Sequence, residues 1–71
     1  MLRDAKIIAT VACNMKSCRE AKGLSKRELA KKTGITEVTI GRYENMKRVP
    51  DALAIYKIAE CLGISVADLY K

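Results

Sequence analysis

Residues 26–45 constrain the fold of this chain more than any other segment. Their apolar positions recur at the spacing of two short amphipathic helices, separated by a tight turn. Ser25 and Glu28 have the S-x-x-E spacing of a capping box, so the first of these helices is predicted to begin directly after Ser25. Gly34 stands where that helix must end in a left-handed backbone, a conformation that costs glycine little.

The second helix of this pair is predicted to span residues 37–45. Thr36 precedes it as a cap, because a threonine oxygen can accept a hydrogen bond from an unpaired backbone N–H of the first turn. Ile40 and Tyr43 are three residues apart and are predicted to face inward. Leu29 and Ala30, then Gly34 four residues after Ala30 and Ile40 six residues after Gly34, form a specific spacing that indicates a helix-turn-helix.

The motifs around this pair, in their order and spacing, resemble one known family. G-L-S precedes the first helix, Y-E-N closes the second, R-x-P follows, and L-G-I-S-x-x-D-L stands near the end. From about residue 11 to residue 69 the chain resembles the lambda-repressor-like (Cro/repressor, XRE-type) DNA-binding domain. The resemblance implies an all-α fold of five helices in a single domain, residues 1–71, with a central helix-turn-helix at about 26–45.

The first helix is predicted to span residues 5–22, with Asp4 as its cap and Gly23 just beyond its end. Ile7 lies in a turn that the family domain does not require, so it is either additional core or part of a contact surface. The predicted core residues of this helix recur at three- and four-residue spacing: Ile8, Val11, Met15 and Cys18.

The fourth helix is predicted to span residues 51–62, with Pro50 near its start, where a missing N–H is harmless. Ser65 and Asp68 then predict a capped final helix, anchored by Leu69. The inward face of the fourth helix is predicted to consist of four residues: Ile55, Ile58, Ala59 and Leu62.

Composition favours a polyanionic partner and excludes several classes of function. The net charge is +6, from 14 basic and 8 acidic residues, which suits nucleic acid. The three cysteines form no C-x-x-C pair and the chain has no histidine, so neither a metal site, a cofactor nor catalysis is predicted.

No segment is long enough to span a membrane. We expect a cytoplasmic location, in a prokaryotic cell or from a phage or mobile element, and no small-molecule effector is evident.

The exposed N-terminal residues of a recognition helix reach the base edges of the major groove. Here these residues are Thr36, Glu37, Val38 and, one turn later, Arg42, and by resemblance they match positions that contact bases. Arg42 can bind guanine bidentately, Glu37 can accept from cytosine and Val38 can contact a thymine methyl group. Two alternatives stay open: Arg42 holds a phosphate, and Glu37 only stabilises the helix N-terminus.

A second set of residues is predicted to contact the DNA backbone. Lys26 lies at the positive end of its helix and stands where the family commonly has Gln, while Thr39 can reach a phosphate from the recognition helix. Asn45 and Lys47 match family positions that hold the phosphate backbone, and Arg48 adds a further charge. Contacts of this kind set register without reading sequence.

Arg19 and Glu44 match a family pair that links the first helix to the third, so the resemblance predicts a structural ion pair; two separate exposed charges are the alternative. Met46 departs from the family pattern, which usually has glycine there. Either Met46 adopts a left-handed backbone at a cost of about 1 kcal/mol or more, or Asn45 adopts it instead.

The leading interpretation is a sequence-specific regulator of transcription that binds double-stranded DNA and acts as a small repressor. One such domain contacts few base pairs, so we expect a homodimer on a pseudo-palindromic operator. An antitoxin that binds a toxin and represses its own promoter is the alternative, and a restriction-system controller protein has the same size and fold. The candidate dimer surface consists of apolar residues outside the predicted core: Ile7, Leu53, Tyr56, Val66 and Tyr70.

Overall fold

The chain folds as four α-helices and a short terminal 3₁₀ helix. The structure is a computed structural model that describes the backbone of residues 2–71 and the side chains of residues 4–71. Met1, which the predicted domain includes, lies outside the described residues. The α-helices are α1 (Leu2–Ala21), α2 (Lys26–Thr33), α3 (Glu37–Glu44) and α4 (Ala52–Leu62), and the 3₁₀ helix spans Val66–Tyr70.

Short polar side chains start the helices at the predicted places. Ser25 and Glu28 form the predicted capping box of α2, and the backbone hydrogen bond from Ser25 lowers the pKa of Glu28. Ser65 and Asp68 form a second capping box at the 3₁₀ helix, as predicted. Asp51 caps α4, where its Oδ1 accepts from the Ala54 N–H at 2.8 Å. Each cap satisfies a donor that the first helical turn leaves unpaired.

Two predictions about the helices were wrong. Helix α1 begins at Leu2, so Asp4 lies inside its first turn and does not cap it; a carboxylate is still favourable there, because it faces the positive end of the helix. The predicted fifth helix is a single 3₁₀ stretch. Its five residues leave room for only tightened i→i+3 bonds between the Ser65 cap and the buried Leu69.

The core lies where α1, α3, α4 and the 3₁₀ helix meet, and α2 closes it from one side by packing on α3 and α4. The predicted inward faces are confirmed, although Ile8 and Cys18 are only half-buried. Asn14, which was not predicted to matter, joins α1 to the 3₁₀ helix by donating to the Leu69 carbonyl at 3.0 Å. Six side chains are fully buried: Met15, Leu29, Ile40, Ile58, Leu62 and Leu69.

Helix α1 is the longest helix, and its charged side chains lie toward its two ends, up to Lys6 and from Lys16 onward. Among the described residues, no helix has a stretch both long and apolar enough to cross a bilayer.

Candidate nucleic-acid interface

The turn between α2 and α3 is built by local hydrogen bonds. Gly34 has φ +76° and donates its N–H to the Ala30 carbonyl at 2.8 Å, which ends α2 in the predicted left-handed residue. Thr33 is buried; its hydroxyl donates to the Leu29 carbonyl at 2.8 Å and accepts from the Ile35 N–H at 3.2 Å. These bonds determine the direction in which the chain leaves α2 and therefore the direction of α3.

Helix α3 presents a continuous outward face. At about 100° per residue, Val38 and Arg42 lie on the side opposite Ile40 and Tyr43, and Glu37 lies at the edge of this face, about 60° around the helix from Ile40. All three are exposed, Val38 at 64%, whereas Ile40 is fully buried. Gly41 lies among them, and a Cβ atom added to it would meet no atom within 4 Å. The middle of this face is therefore bare backbone, bordered by a carboxylate, an apolar side chain and a guanidinium.

Two threonines form a hydroxyl pair at the N-terminus of α3. Thr36 has an extended backbone and caps the helix, because its Oγ1 accepts the Thr39 N–H at 3.2 Å. The hydroxyl oxygens of Thr36 and Thr39 are also 2.8 Å apart and share a hydrogen bond. Thr36 is exposed and Thr39 is half-buried. The structure thus brings these two predicted contact residues together in one hydrogen-bonded unit.

The C-terminus of α3 is joined to α1 by a buried bidentate ion pair. Arg19 donates from Nε to Glu44 Oε2 at 2.8 Å and from Nη2 to Glu44 Oε1 at 3.1 Å. The Arg19 Nη1 group donates to the Leu24 carbonyl at 2.8 Å. The two side chains are only 8% and 2% exposed, and the hydrogen bond to Glu44 raises the pKa of Arg19. The alternative of two separate exposed charges does not describe this geometry.

The segment after α3 follows the path that the sequence left open. Met46 has φ +59°, whereas Asn45 has φ −97°, so Met46 is the left-handed residue. Its N–H donates to the Tyr43 carbonyl at 3.2 Å, and the Lys47 N–H donates to the Arg42 carbonyl at 2.8 Å. This is the Schellman pattern of helix termination, in which glycine is the usual left-handed residue.

Basic and polar side chains surround the ends of α2 and α3. Asn45, Lys47 and Arg48 are exposed just beyond α3, and Lys26 is half-buried as the first residue of α2. Arg27, which the sequence reasoning did not select, is exposed next to Lys26 in the same first turn. Because Arg27 directly follows Lys26 in the sequence, it could have been predicted as a further basic residue of this interface.

The five apolar residues predicted for a dimer surface are all exposed, between 40% and 61%. Ile7 and Tyr70 line a small apolar cavity of about 50 Å³, together with Val49, which was not predicted. Tyr56 instead lines an open groove with Lys32 and Lys57. The two cavities share no lining residue, and neither Leu53 nor Val66 lines either of them, so the five residues do not border one common depression.

Comparison with known sequences places this geometry in a family. The family described as helix-turn-helix (HTH_3) matches residues 15–69. The chain is 39% identical over 57 residues to the SPbeta prophage-derived uncharacterized HTH-type transcriptional regulator YonR of Bacillus subtilis, covering 80% of this chain and 53% of that protein. It is 36% identical over 58 residues to the uncharacterized HTH-type transcriptional regulator YqaE of the same organism, covering 82% and 50%. The chain spans about half the length of these two relatives.

Solved structures agree with the sequence comparison. The restriction-modification controller protein C.AhdI from Aeromonas hydrophila superposes with a TM-score of 0.85 at 28% identity, covering 89% of this chain and 96% of that one. The family resemblance predicted from the sequence is therefore confirmed, as is the all-α fold. The chain belongs to the helix-turn-helix (HTH_3, XRE-type) family, and the relatives that it matches are described as HTH-type transcriptional regulators.

Proposed function

We propose that this chain is a sequence-specific repressor that binds double-stranded DNA as a dimer, with α3 in the major groove. One observation carries the proposal: α3 is anchored by buried groups at Ile40, Tyr43 and Glu44, yet Val38 and Arg42 on its outward face are exposed to solvent. A rigid helix with a free polar face, on a chain of net charge +6, has the properties that major-groove reading requires.

The base contacts are assigned to the outward face of α3. Arg42 donates bidentately to guanine O6 and N7, Glu37 accepts from the cytosine amino group, and Val38 contacts a thymine methyl group. The exposure of all three side chains supports this assignment. Thr36 borders the same face, but its hydroxyl is already engaged within the helix.

The phosphate contacts are assigned to groups on either side of α3. Lys26 begins α2, where the unpaired N–H groups of the first turn also attract an anion. Thr39 lies at the flank of α3, and Asn45, Lys47 and Arg48 follow its C-terminus. Since each phosphate contact releases counterions, affinity should fall with rising salt in proportion to the number of contacts.

The dimer interface is assigned to the exposed apolar residues of α1, α4 and the 3₁₀ helix. Leu53 and Tyr56 are one helical turn apart on α4, with more than half of each side chain exposed. Ile7, Val66 and Tyr70 add apolar surface elsewhere. In a two-fold dimer the two recognition helices should lie about 34 Å apart, which matches successive major grooves on one side of the duplex.

A controller protein of a restriction-modification system is a second candidate. The observation that favours it is structural similarity: the fold of this chain matches C.AhdI, a protein described in those words, over 96% of the length of C.AhdI. Both candidates bind an operator, so they share the same interface. None of the relatives reported above is described as an antitoxin, and that alternative gains no support from them.

Selection of binding sites from random duplex DNA at moderate salt tests the proposal, with the mass of the protein in solution measured alongside. We expect a two-fold-symmetric motif whose half-sites are about 10 base pairs apart, and a protein of twice the monomer mass. If no motif is recovered and the chain binds any duplex in a salt-sensitive way, it is a non-specific basic domain and the proposal is refuted. A motif without symmetry would refute the dimer alone.

A further inference from the structure

We propose that Gly41 is a specificity-determining residue, whose missing side chain leaves room on α3 for the methyl group of one thymine, with Val38 as one wall of that space. The inference rests on the proposed function, because it specifies a contact within the same interface. It adds a second residue to the thymine contact assigned to Val38, one that the sequence did not indicate.

Gly41 differs from the other glycines of the chain. Of the four glycines, Gly41 alone lies inside a described helix. The other three follow α1, α2 and α4 with φ between +68° and +76°, whereas Gly41 does not have a positive φ. Inside a helix, glycine is less favourable than alanine because it loses more conformational freedom on folding. Position 41 is therefore occupied by a residue that weakens α3.

Packing within the described chain does not require a glycine at this position. A Cβ atom added to Gly41 would meet no atom within 4 Å, whereas one added to Gly63 would lie 3.1 Å from the Lys22 Nζ atom. Alanine would therefore fit at position 41 and would stabilise α3. A reason to exclude its side chain must come from outside the chain, and Gly41 is partly exposed on the side of α3 that is assigned to the major groove.

The space at Gly41 lies next to the side chain of Val38. At about 100° per residue, Gly41 is about 60° around α3 from Val38 and nearly one turn further along the helix axis. Helical positions three residues apart have Cβ atoms about 5–6 Å apart, and two carbon atoms in contact are about 3.5–4.0 Å apart. A methyl group that rests on the Gly41 backbone can thus also contact Val38, which is 64% exposed.

A thymine methyl group suits this space better than the polar groups of the major groove. The Gly41 Cα and the Val38 side chain are both apolar, and the Gly41 carbonyl already accepts the Asn45 N–H at 3.0 Å. A polar base edge placed there would lose hydrogen bonds to water without gaining one from the protein. The C5-methyl group of thymine is the apolar group that the four bases present in the major groove.

The substitution Gly41→Ala tests the inference with two measurements of opposite sign. In thermal unfolding, we expect the variant to unfold at a temperature about 4 °C higher than the unmodified chain, because alanine favours the helix. In titrations of the selected operator, we expect it to bind about tenfold more weakly, because the added Cβ atom takes the space of the thymine methyl group. A loss of binding together with a gain in stability separates DNA contact from a role in the fold.

Operators in which single thymines are replaced by deoxyuridine, which lacks only the methyl group, locate the contact. At one position, the replacement should weaken binding of the unmodified chain about fourfold, the effect of losing one buried methyl group. The Gly41→Ala variant should reverse this preference and bind the deoxyuridine duplex at least as tightly as the thymine duplex. Val38→Ala is the matched control: it removes part of the wall and should reduce the preference for thymine without reversing it.

Several outcomes would overturn the inference while leaving the proposed function intact. Gly41→Ala could bind the operator as tightly as the unmodified chain, lose affinity equally for operator and random duplexes, or keep the same preference for thymine at every position. A lower unfolding temperature for Gly41→Ala would also overturn it, because the fold itself would then require the glycine. Failure of the unmodified chain to select any motif would instead refute the proposed function.

Discussion

The two ends of α3 are built in contrasting ways. At the N-terminal end, Thr36 and Thr39 bond only to each other and to the helix backbone, and their neighbour Val38 is exposed. At the C-terminal end, Glu44 is almost completely buried in a bidentate pair with Arg19 of α1. One end presents groups to solvent, and the other attaches the helix to the domain.

The difference separates two functions within a helix of eight residues. The buried end sets the orientation of α3, so changes there should alter stability first and binding as a consequence. Among the described residues the exposed end makes no tertiary side-chain hydrogen bond, so changes there should alter binding with little effect on stability. The following substitutions test this division.

Glu44→Ala should have the largest effect, a loss of about 3 kcal/mol in the free energy of unfolding. The substitution leaves the Arg19 guanidinium buried without its carboxylate, and an unpaired buried charge is costly. Unfolding in denaturant measures this loss of free energy. Glu37→Ala on the same helix is the matched control and should change stability by less than about 0.5 kcal/mol, because Glu37 is exposed. Equal effects of the two substitutions would contradict the division.

Arg42→Ala should weaken binding to the selected operator by about 2 kcal/mol and relax preference at one base pair, with unfolding unchanged. Titration of labelled cognate and random duplexes measures both quantities. Lys57→Ala removes the same charge from an exposed position on α4 and serves as the control. If Arg42→Ala weakens cognate and random DNA equally, Arg42 holds a phosphate.

Met46→Gly should stabilise the chain by about 1 kcal/mol, because Met46 has φ +59° and only glycine adopts this conformation without strain. Gly23→Ala is the reverse control. Gly23 has φ +69° at the corresponding place after α1, so its replacement by alanine should destabilise the chain by a similar amount. Thermal unfolding of both variants compares them. A Met46→Gly variant no more stable than the original would show that the Met46 side chain contributes something that offsets the strain.

Lys26→Ala should have the smallest effect. It is expected to weaken all DNA sequences alike and to reduce the slope of log affinity against log salt by about one unit, as the loss of one phosphate contact predicts. Titrations at several salt concentrations measure the slope. Lys31→Ala, on the exposed side of the same helix, is the control and should leave the slope unchanged. A sequence-dependent loss for Lys26→Ala would move it from the phosphate contacts to the base contacts.

Features that depend on neighbouring residues were predictable. The capping boxes at Ser25 and Ser65, the left-handed Gly34 and the inward faces of α3 and α4 follow from bonds that span four residues or fewer. The extension of α1 to Leu2 was missed because an aspartate is favourable both as a helix cap and inside the first turn, so Asp4 fitted either position. The Arg19–Glu44 pair was accessible only through resemblance, since no local rule connects residues 25 positions apart.

Local sequence therefore decides where α2 begins and ends and where α3, α4 and the 3₁₀ helix begin, because capping and helix hydrogen bonds form within one turn. The tertiary structure alone decides between Met46 and Asn45 as the left-handed residue, since closing the Schellman bonds after α3 depends on the direction of the following chain. It also decides that Ile7 and Tyr70 border one cavity while Tyr56 borders another. Such positions depend on how separate helices pack, and packing is a property of the whole chain.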